Sequence, residues 1–212
     1  MGRKESKIQR RTSYSLGIIF FVLVSQNLIS SPIDHHQERF EDVALKIWEY
    51  AELGYLEEKS SSLLQQELKD SGFTIKSGIA GIPTAFIAEY HNGGPVLGIL
   101  GEFDALPGLS QQNLPFKTAE GLSSANGHAC GHHLFGAASA WAAVAIKEWL
   151  EESGTPGTIR FYGTPAEEGG SGKVYIARDG YFDDVDIVLH WHPASGNSCL
   201  LYTSPSPRDE AL

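Results

Sequence analysis

The chain has 212 residues, a formal net charge of −10 and an isoelectric point near 5.2. With 42% hydrophobic and 20% charged residues, it has the composition of an ordinary globular domain with one good core. The acidic balance excludes a general nucleic-acid binder, because no basic face is available to neutralise phosphates.

The first 31 residues have the pattern of a secretory signal peptide. Basic residues within positions 3–11 precede the apolar run LGIIFFVLV at 16–24, and the stretch SQNLISS follows. The apolar run is short for a membrane-spanning helix, and an uncleaved N-terminal anchor is the alternative. We therefore expect an exported protein, periplasmic or extracellular, and we leave residues 1–31 out of the folded domain.

Residues 34–198 predict one α/β domain, the first part of a catalytic domain. Apolar residues at three- and four-residue spacing predict a helix over 39–53, and a second helix follows over 57–72. The remaining predicted elements are strands at 84–90, 95–103, 157–165 and 184–193, and a long Ala-rich helix at 134–153. This alternation predicts a layered domain with a mainly parallel central sheet and flanking helices.

Residues 199–212 differ from the domain that precedes them. The run CLLYTSPSPRD is rich in Pro and Ser and has no periodicity, and its back-translation resembles a sequencing adapter read in frame. We expect a non-native tail, with the native sequence ending near Ser198 and the chain being a piece of a longer protein. A native Pro-rich tail is the alternative. If the tail is foreign, Cys199 is not a disulfide partner for Cys130.

Four segments place acidic residues, histidines or a cysteine where predicted strands end or where the long helix begins. They are GEFDALPG (101–108), GHACGHHLFG (127–136), GTPAEEGG (163–170) and LHWHP (189–193). Ligands in open α/β sheets bind beyond the carboxyl ends of the strands. We therefore expect the four segments to meet at one edge of the sheet.

The segment at 127–136 has the highest density of potential metal ligands. Cys130 and His132 can both reach one ion from a turn, as thiolate and imidazole. The alternative is a small buried cysteine beside a histidine that caps the helix. Cys130 with a nearby histidine could also form a nucleophilic pair, although that would leave the paired glutamates unexplained. His128 and His133 are weaker candidates.

The other segments supply carboxylates and imidazoles. In an extended segment Glu167 and Glu168 point to different sides, so one can bind metal while the other faces the attacking water; the alternative is a solvated acidic turn. His190 and His192 lie on one face of their strand, and either can be a ligand or a structural histidine. Asp104 can orient a ligand by hydrogen bonding, or it is an ordinary turn residue.

Six motifs, in this order, resemble the aminoacylase/carboxypeptidase-like zinc metallopeptidases. They are IWEYAELGYLEEKSS, GIPTAFIAEY, GILGEFDALPGLSQ, GHACGHHLFG, GTPAEEGGSGK and HWHP. More narrowly, they resemble the amidohydrolase subgroup that includes aminobenzoyl-glutamate hydrolase and the auxin-conjugate hydrolases. The resemblance runs from about residue 36 to 197, and six ordered motifs are far more specific than any single one.

The resemblance implies a site for two divalent metal ions, zinc or manganese, with Glu167 as the general base. The metal ligands that it implies are Cys130, His132, Glu168 and His192, with His190 as the alternate to His192. It implies hydrolysis of the amide bond of N-acyl or N-aroyl amino acids or small peptides. It also implies a homodimer formed through a smaller domain that would lie outside this chain. The chain alone would then be a catalytically incomplete metal-binding fragment.

Overall fold

The computed structural model describes residues 34–116 and 125–196, so the predicted signal segment 1–31 and the tail 199–212 lie outside the described residues. The helices are α1 Gln37–Tyr50, α2 Glu58–Asp70, α3 His132–Ser153, α4 Glu167–Gly170 and α5 Gly172–Arg178. The strands are β1 Thr74–Ser77, β2 Phe86–Asn92, β3 Val96–Gly101, β4 Gly157–Gly163 and β5 Ile187–Leu189. None of the helices within the two described ranges is both long and apolar enough to cross a membrane.

The five strands form one sheet in the order β1-β2-β4-β3-β5. β3 pairs in parallel with β4 and β5, whereas β2 is antiparallel to β1 and β4. The predicted α/β layered class is confirmed, and the sheet is mixed, with a parallel part beside an antiparallel edge. β1 escaped prediction because Ile75 is the one apolar residue among its four, and the other three are exposed.

Helices α1 to α3 cover one face of the sheet. The apolar stripe of α1 buries Phe40, Val43 and Ile47, and each such side chain contributes about 1.5–3 kcal/mol when it leaves water. On β4 the pleat sends Phe161 into this cluster and Tyr162 into a second cluster on the opposite face. Helix α5 and the short turn around residue 79 close the second face. The sheet therefore has covered layers on both sides, as the sequence predicts.

Helix α3 lies close against the carboxyl end of β3. A Cβ atom at Gly136 would lie 2.7 Å from the backbone oxygen of Glu102. Real Cβ atoms do not make contacts this short, so only glycine permits the approach. The approach brings His132, the first residue of α3, to the end of β3.

The two connections that follow β3 along the chain lead to strands on opposite sides of β3. Helix α3 leads from β3 to its parallel neighbour β4, and helices α4 and α5 lead from β4 to β5, which lies on the other side of β3. α3 packs on one face of the sheet and α5 on the other. The carboxyl end of β3 is therefore a topological switch point, the place where open α/β sheets form ligand sites.

Candidate metal centre

His132 lies at the centre of the switch point and is completely buried. Its Nδ1 lies 2.8 Å from Oδ1 of Asp104, so the Nδ1–H donates to the carboxylate, and loss of the other ring proton would leave the lone pair on Nε2. Asp104 is 1% exposed and follows β3, as predicted. This histidine–carboxylate pair is the arrangement that orients histidine ligands in metal sites.

The Nε2 atom of His132 faces a second carboxylate. It lies 2.9 Å from Oε2 of Glu102, but the two atoms are not aligned as a hydrogen bond and both lack a hydrogen-bond partner among the described residues. Burial lowers the pKa of His132, but the carboxylates of Asp104 and Glu102 outweigh it and raise that pKa to about 10. The two carboxylates next to the ring therefore favour a positive charge at this position.

Cys130, His132 and His192 come together, and one donor atom from each lies within 4.8 Å of the others. The Sγ of Cys130 is 3.3 Å from Nε2 of His192. The Nδ1–H of His192 donates to the carbonyl oxygen of Pro193 at 2.9 Å, so its Nε2 lone pair faces the cysteine. His190 instead places Nε2 3.2 Å from Oε1 of Glu102. Both histidines follow β5, which ends at Leu189, so the prediction that they share one face of a strand is wrong. His192 joins the cysteine, whereas His190 does not.

The paired glutamates both approach His132, from different sides. They begin the short helix α4 rather than lying in an extended segment. Oε2 of Glu167 is 3.9 Å from Nε2 of His132, and the side chain of Glu167 is 43% exposed. Oε1 of Glu168 is 3.9 Å from Nδ1 of His132, and it is buried without a hydrogen-bond partner among the described residues. Glu167 therefore faces solvent, while Glu168 is directed inward.

Glu167 also belongs to a second group of possible ligands, together with Glu102 and His132, whose donor atoms lie within 4.8 Å of one another. Glu168 belongs to neither three-residue group among the described residues. The structure thus brings together Cys130, His132 and His192, and it brings Glu167 close to His132. Their roles as ligands and base stay predictions.

The donor set fits a divalent transition metal. Thiolate, imidazole and carboxylate ligands around one point are the ligands that zinc takes, and imidazole and carboxylate also suit manganese. Buried polar atoms normally have partners, yet Nε2 of His132, Oε2 of Glu102 and Oε1 of Glu168 have none among the described residues. A cation between Nε2 of His132 and Oε2 of Glu102, which lie 2.9 Å apart, would satisfy these two atoms. The family resemblance implies Cys130, His132, His192 and Glu168 as the residues that would hold metal.

Two further histidines of the 127–136 segment turn away from the centre. Nε2 of His128 donates to the backbone oxygen of Ile47 at 3.0 Å, and the rings of His128 and His133 lie 5.1 Å apart. Burial lowers the pKa of each of them to about 4. Both rings are therefore neutral near pH 7, and they pack at the side of the site.

Sequence reasoning missed Lys173 and Glu57, which shape the site, and it placed Glu102 at a strand end without giving it a role. The ammonium of Lys173 pairs with Glu102, which is 1% exposed. Burial raises the pKa of Glu102, but His132, His190 and Lys173 outweigh it and lower that pKa. Glu57 is fully buried and reaches the turn before Glu167. The acid directly after an apolar strand signalled Glu102, whereas no local pattern marks Lys173 or Glu57.

The fold and these contacts define an α/β domain with a candidate metal centre at the switch point of its sheet. The model of peptidase family M20/M25/M40 matches residues 98–201 of the chain. The resemblance seen in the six sequence motifs is therefore confirmed.

Relatives extend this similarity across most of the chain. It is 47% identical over 165 residues to a subunit of the p-aminobenzoyl-glutamate hydrolase of Escherichia coli, covering 78% of this chain and 34% of that protein. It is 31% identical over 182 residues to Xaa-Arg dipeptidase of Mus musculus, covering 80% and 38%. The chain therefore spans little more than a third of the length of these curated relatives.

A solved structure has the same fold. A dinuclear metal binding peptidase of the M20 family from Bacillus subtilis superposes with a TM-score of 0.63 at 27% sequence identity. The superposition covers 74% of this chain and 43% of that chain.

Proposed function

We propose that the protein containing this chain is a metal-dependent amidohydrolase that cleaves the amide bond of N-acyl or N-aroyl amino acids or of small peptides. The observation that carries the proposal is the convergence of Cys130, His132 and His192 beside the solvent-facing Glu167. The names of the two curated relatives support the substrate class, because both refer to an amide bond next to an amino acid. This chain spans only part of such a protein.

The centre would hold two divalent ions, zinc or manganese, with Cys130, His132, Glu168 and His192 as the residues that bind them. Bound metal lowers the pKa of a water molecule and polarises the substrate carbonyl. The dinuclear metal site named for the Bacillus subtilis peptidase supports two ions. Asp104 would keep the lone pair of His132 Nε2 directed into the site through the 2.8 Å contact at Nδ1.

Glu167 would act as the general base and then as the general acid. Its carboxylate is partly exposed and ends 3.9 Å from His132, so it can face both the attacking water and bulk solvent. It would accept a proton from the attacking water and give it to the leaving amine. Such proton transfer typically contributes ~10²–10⁴-fold to the rate.

A cysteine hydrolase is the second candidate function, favoured by the 3.3 Å contact between Cys130 and His192. However, burial and the neighbouring Glu168 raise the pKa of the Cys130 thiol to about 11, with Glu167 and Glu102 adding to the effect. A catalytic thiolate needs the opposite shift. A carboxylate-rich pocket instead suits a thiolate that is stabilised by a cation.

The Glu167→Gln variant tests the proposed reaction in a protein extended to the length of its relatives. Metal content should stay at the wild-type level while hydrolysis of aminobenzoyl-glutamate falls by about 10²-fold or more. Glu151→Gln, an exposed glutamate on α3, is the matched control and should retain activity. Retained hydrolysis in Glu167→Gln would refute the role of the base. Loss of the thiol by alkylation under saturating zinc would favour the cysteine hydrolase.

We also propose export through residues 1–31 and a homodimer in the full-length protein. N-terminal sequencing of the secreted protein tests the export, and an intact residue 1 in the cytoplasm would refute it. Sedimentation of the extended protein tests the dimer.

A further inference from the structure

The turn that presents Glu167 has an unfavourable backbone conformation. Ala166 is completely buried and has φ 58° and ψ 44°, in the left-handed region. This region is disfavoured for residues with a Cβ atom, so the surroundings must hold the turn in place. A Cβ atom at Gly54 would lie 3.0 Å from the Cβ of Ala166, which leaves the turn little room to move.

Two buried carboxylates hold this turn by its backbone. Oε1 of Glu57 accepts the N–H of Ala166 at 2.8 Å, and Oδ2 of Asp104 accepts the N–H of Glu168 at 2.9 Å. The N–H groups immediately before and after Glu167 are therefore both fixed. Asp104 is already part of the metal centre through His132, but Glu57 touches none of the proposed metal ligands through its side-chain hydrogen bonds.

Glu57 has no cationic partner within the described ranges, although its side chain is completely buried. Its second oxygen accepts the hydroxyl of Thr84 at 3.1 Å. A buried carboxylate is costly unless its hydrogen bonds are satisfied, and here the partners are one N–H and one hydroxyl. The two donors belong to Thr84 and Ala166, which are distant in sequence. Through them, the carboxylate connects two separate segments to the start of α2.

We propose that Glu57 is a positioning residue that sets the left-handed turn at Ala166 and so directs Glu167 and Glu168 toward the metal centre. The inference rests on the proposed function for the significance of those two glutamates. Glu57 acts through the backbone of Ala166 and does not touch substrate. Its action on the turn itself does not depend on which metal binds.

Three variants of the 212-residue chain separate positioning from general stability. Glu57→Gln keeps a carbonyl oxygen for the N–H of Ala166, and Glu57→Ala removes it. Thr84→Val removes the other contact of Glu57 and leaves the Ala166 contact in place. Amide hydrogen exchange is measured on the metal-free chain, and zinc affinity is measured by competition with a chromophoric chelator.

We expect Glu57→Ala to speed exchange at residues 166–170 by about tenfold, the equivalent of one lost hydrogen bond. Its zinc affinity should fall by about tenfold or more, as for a lost supporting contact. Glu57→Gln should restore both measurements to near wild type. Thr84→Val should lower global stability without a local change at 166–170.

Unchanged exchange at 166–170 in Glu57→Ala would overturn the inference, as would an equal change in Thr84→Val. If neither the wild-type chain nor the protein extended to the length of its relatives binds zinc but the exchange pattern is as expected, the metal site of the proposed function fails on its own. The exchange data would then still support the action of Glu57 on the turn. The two failures are therefore distinguishable.

Discussion

Replacement of Asp104 by Asn tests whether the site is built around an oriented His132. The two oxygens of Asp104 accept two different donors, the Nδ1–H of His132 at 2.8 Å and the N–H of Glu168 at 2.9 Å. Asparagine has one acceptor oxygen and an NH₂ group in nearly the same shape. One of the two donors must therefore face another donor.

Either orientation of the Asn side chain weakens metal binding. If the NH₂ faces His132, the ring must carry its proton on Nε2, and the lone pair no longer points into the site. If it faces the backbone of Glu168, α4 shifts. Loss of such a supporting contact typically lowers metal affinity ~10–100-fold, or about 1.4–2.7 kcal/mol.

Zinc affinity of the 212-residue chain, measured by chelator competition, checks this expectation. The control is Asp42→Asn, because Asp42 is on the exposed side of α1 with a side chain that is 61% exposed. It should leave affinity unchanged. If Asp104→Asn binds zinc within about twofold of wild type and keeps the wild-type fold by circular dichroism, Asp104 does not orient a ligand, and the argument from a supporting carboxylate behind His132 fails.

Three other measurements follow from the charges around the site. Because metal ligands must be deprotonated, zinc binding near pH 7 should release about two protons, one from Cys130 and one from His132, whose pKa values are about 11 and 10. Lys173→Met should lower the free energy of unfolding by ~1.5–3 kcal/mol, because the buried Glu102 loses its charged hydrogen-bond donor but keeps its contacts to His132 and His190. Burial raises the pKa of Glu57 despite its hydrogen bonds. Wild type should therefore lose stability relative to Glu57→Gln as pH rises through and above about 4.5.

Each of these measurements has its own control. Calorimetric heats in buffers of different ionisation enthalpy count the protons; Cys130→Ser should release about one fewer, and heats independent of buffer would contradict the expectation. Lys46→Met, at a lysine that is 44% exposed, should cost less than about 1 kcal/mol, and an equally small cost for Lys173→Met would show that the pair is not coupled to the fold. For Glu57, denaturation curves recorded at several pH values give the free energy of unfolding of wild type and of Glu57→Gln. A difference between the two that does not change with pH would contradict the expectation.

Local patterns predicted the helices and the position of the site. The spacing of Phe40, Val43 and Ile47 marks one face of α1, and the apolar run of β3 marks a covered strand. No such apolar pattern in the sequence predicts the antiparallel pairing of β1 with β2. β1 has a single apolar residue, Ile75, and it is a strand because β2 offers it a partner edge. The paired glutamates were expected in an extended segment but begin α4, since the left-handed Ala166 turns the chain there.

The side-chain contacts that could not be predicted from the sequence join segments that are far apart along the chain. Glu57 and Ala166 are 109 residues apart, and Glu102 and Lys173 are 71 apart. No periodicity or motif links such pairs, because their distance is set by how α2 and α5 pack against opposite faces of the sheet. By contrast, Asp104 and His192 could be placed from sequence, since each follows a strand whose carboxyl end lies at the switch point. The residues that would bind metal are thus local to strand ends or to the start of α3, whereas those that hold the site in shape come from the packing of the whole domain.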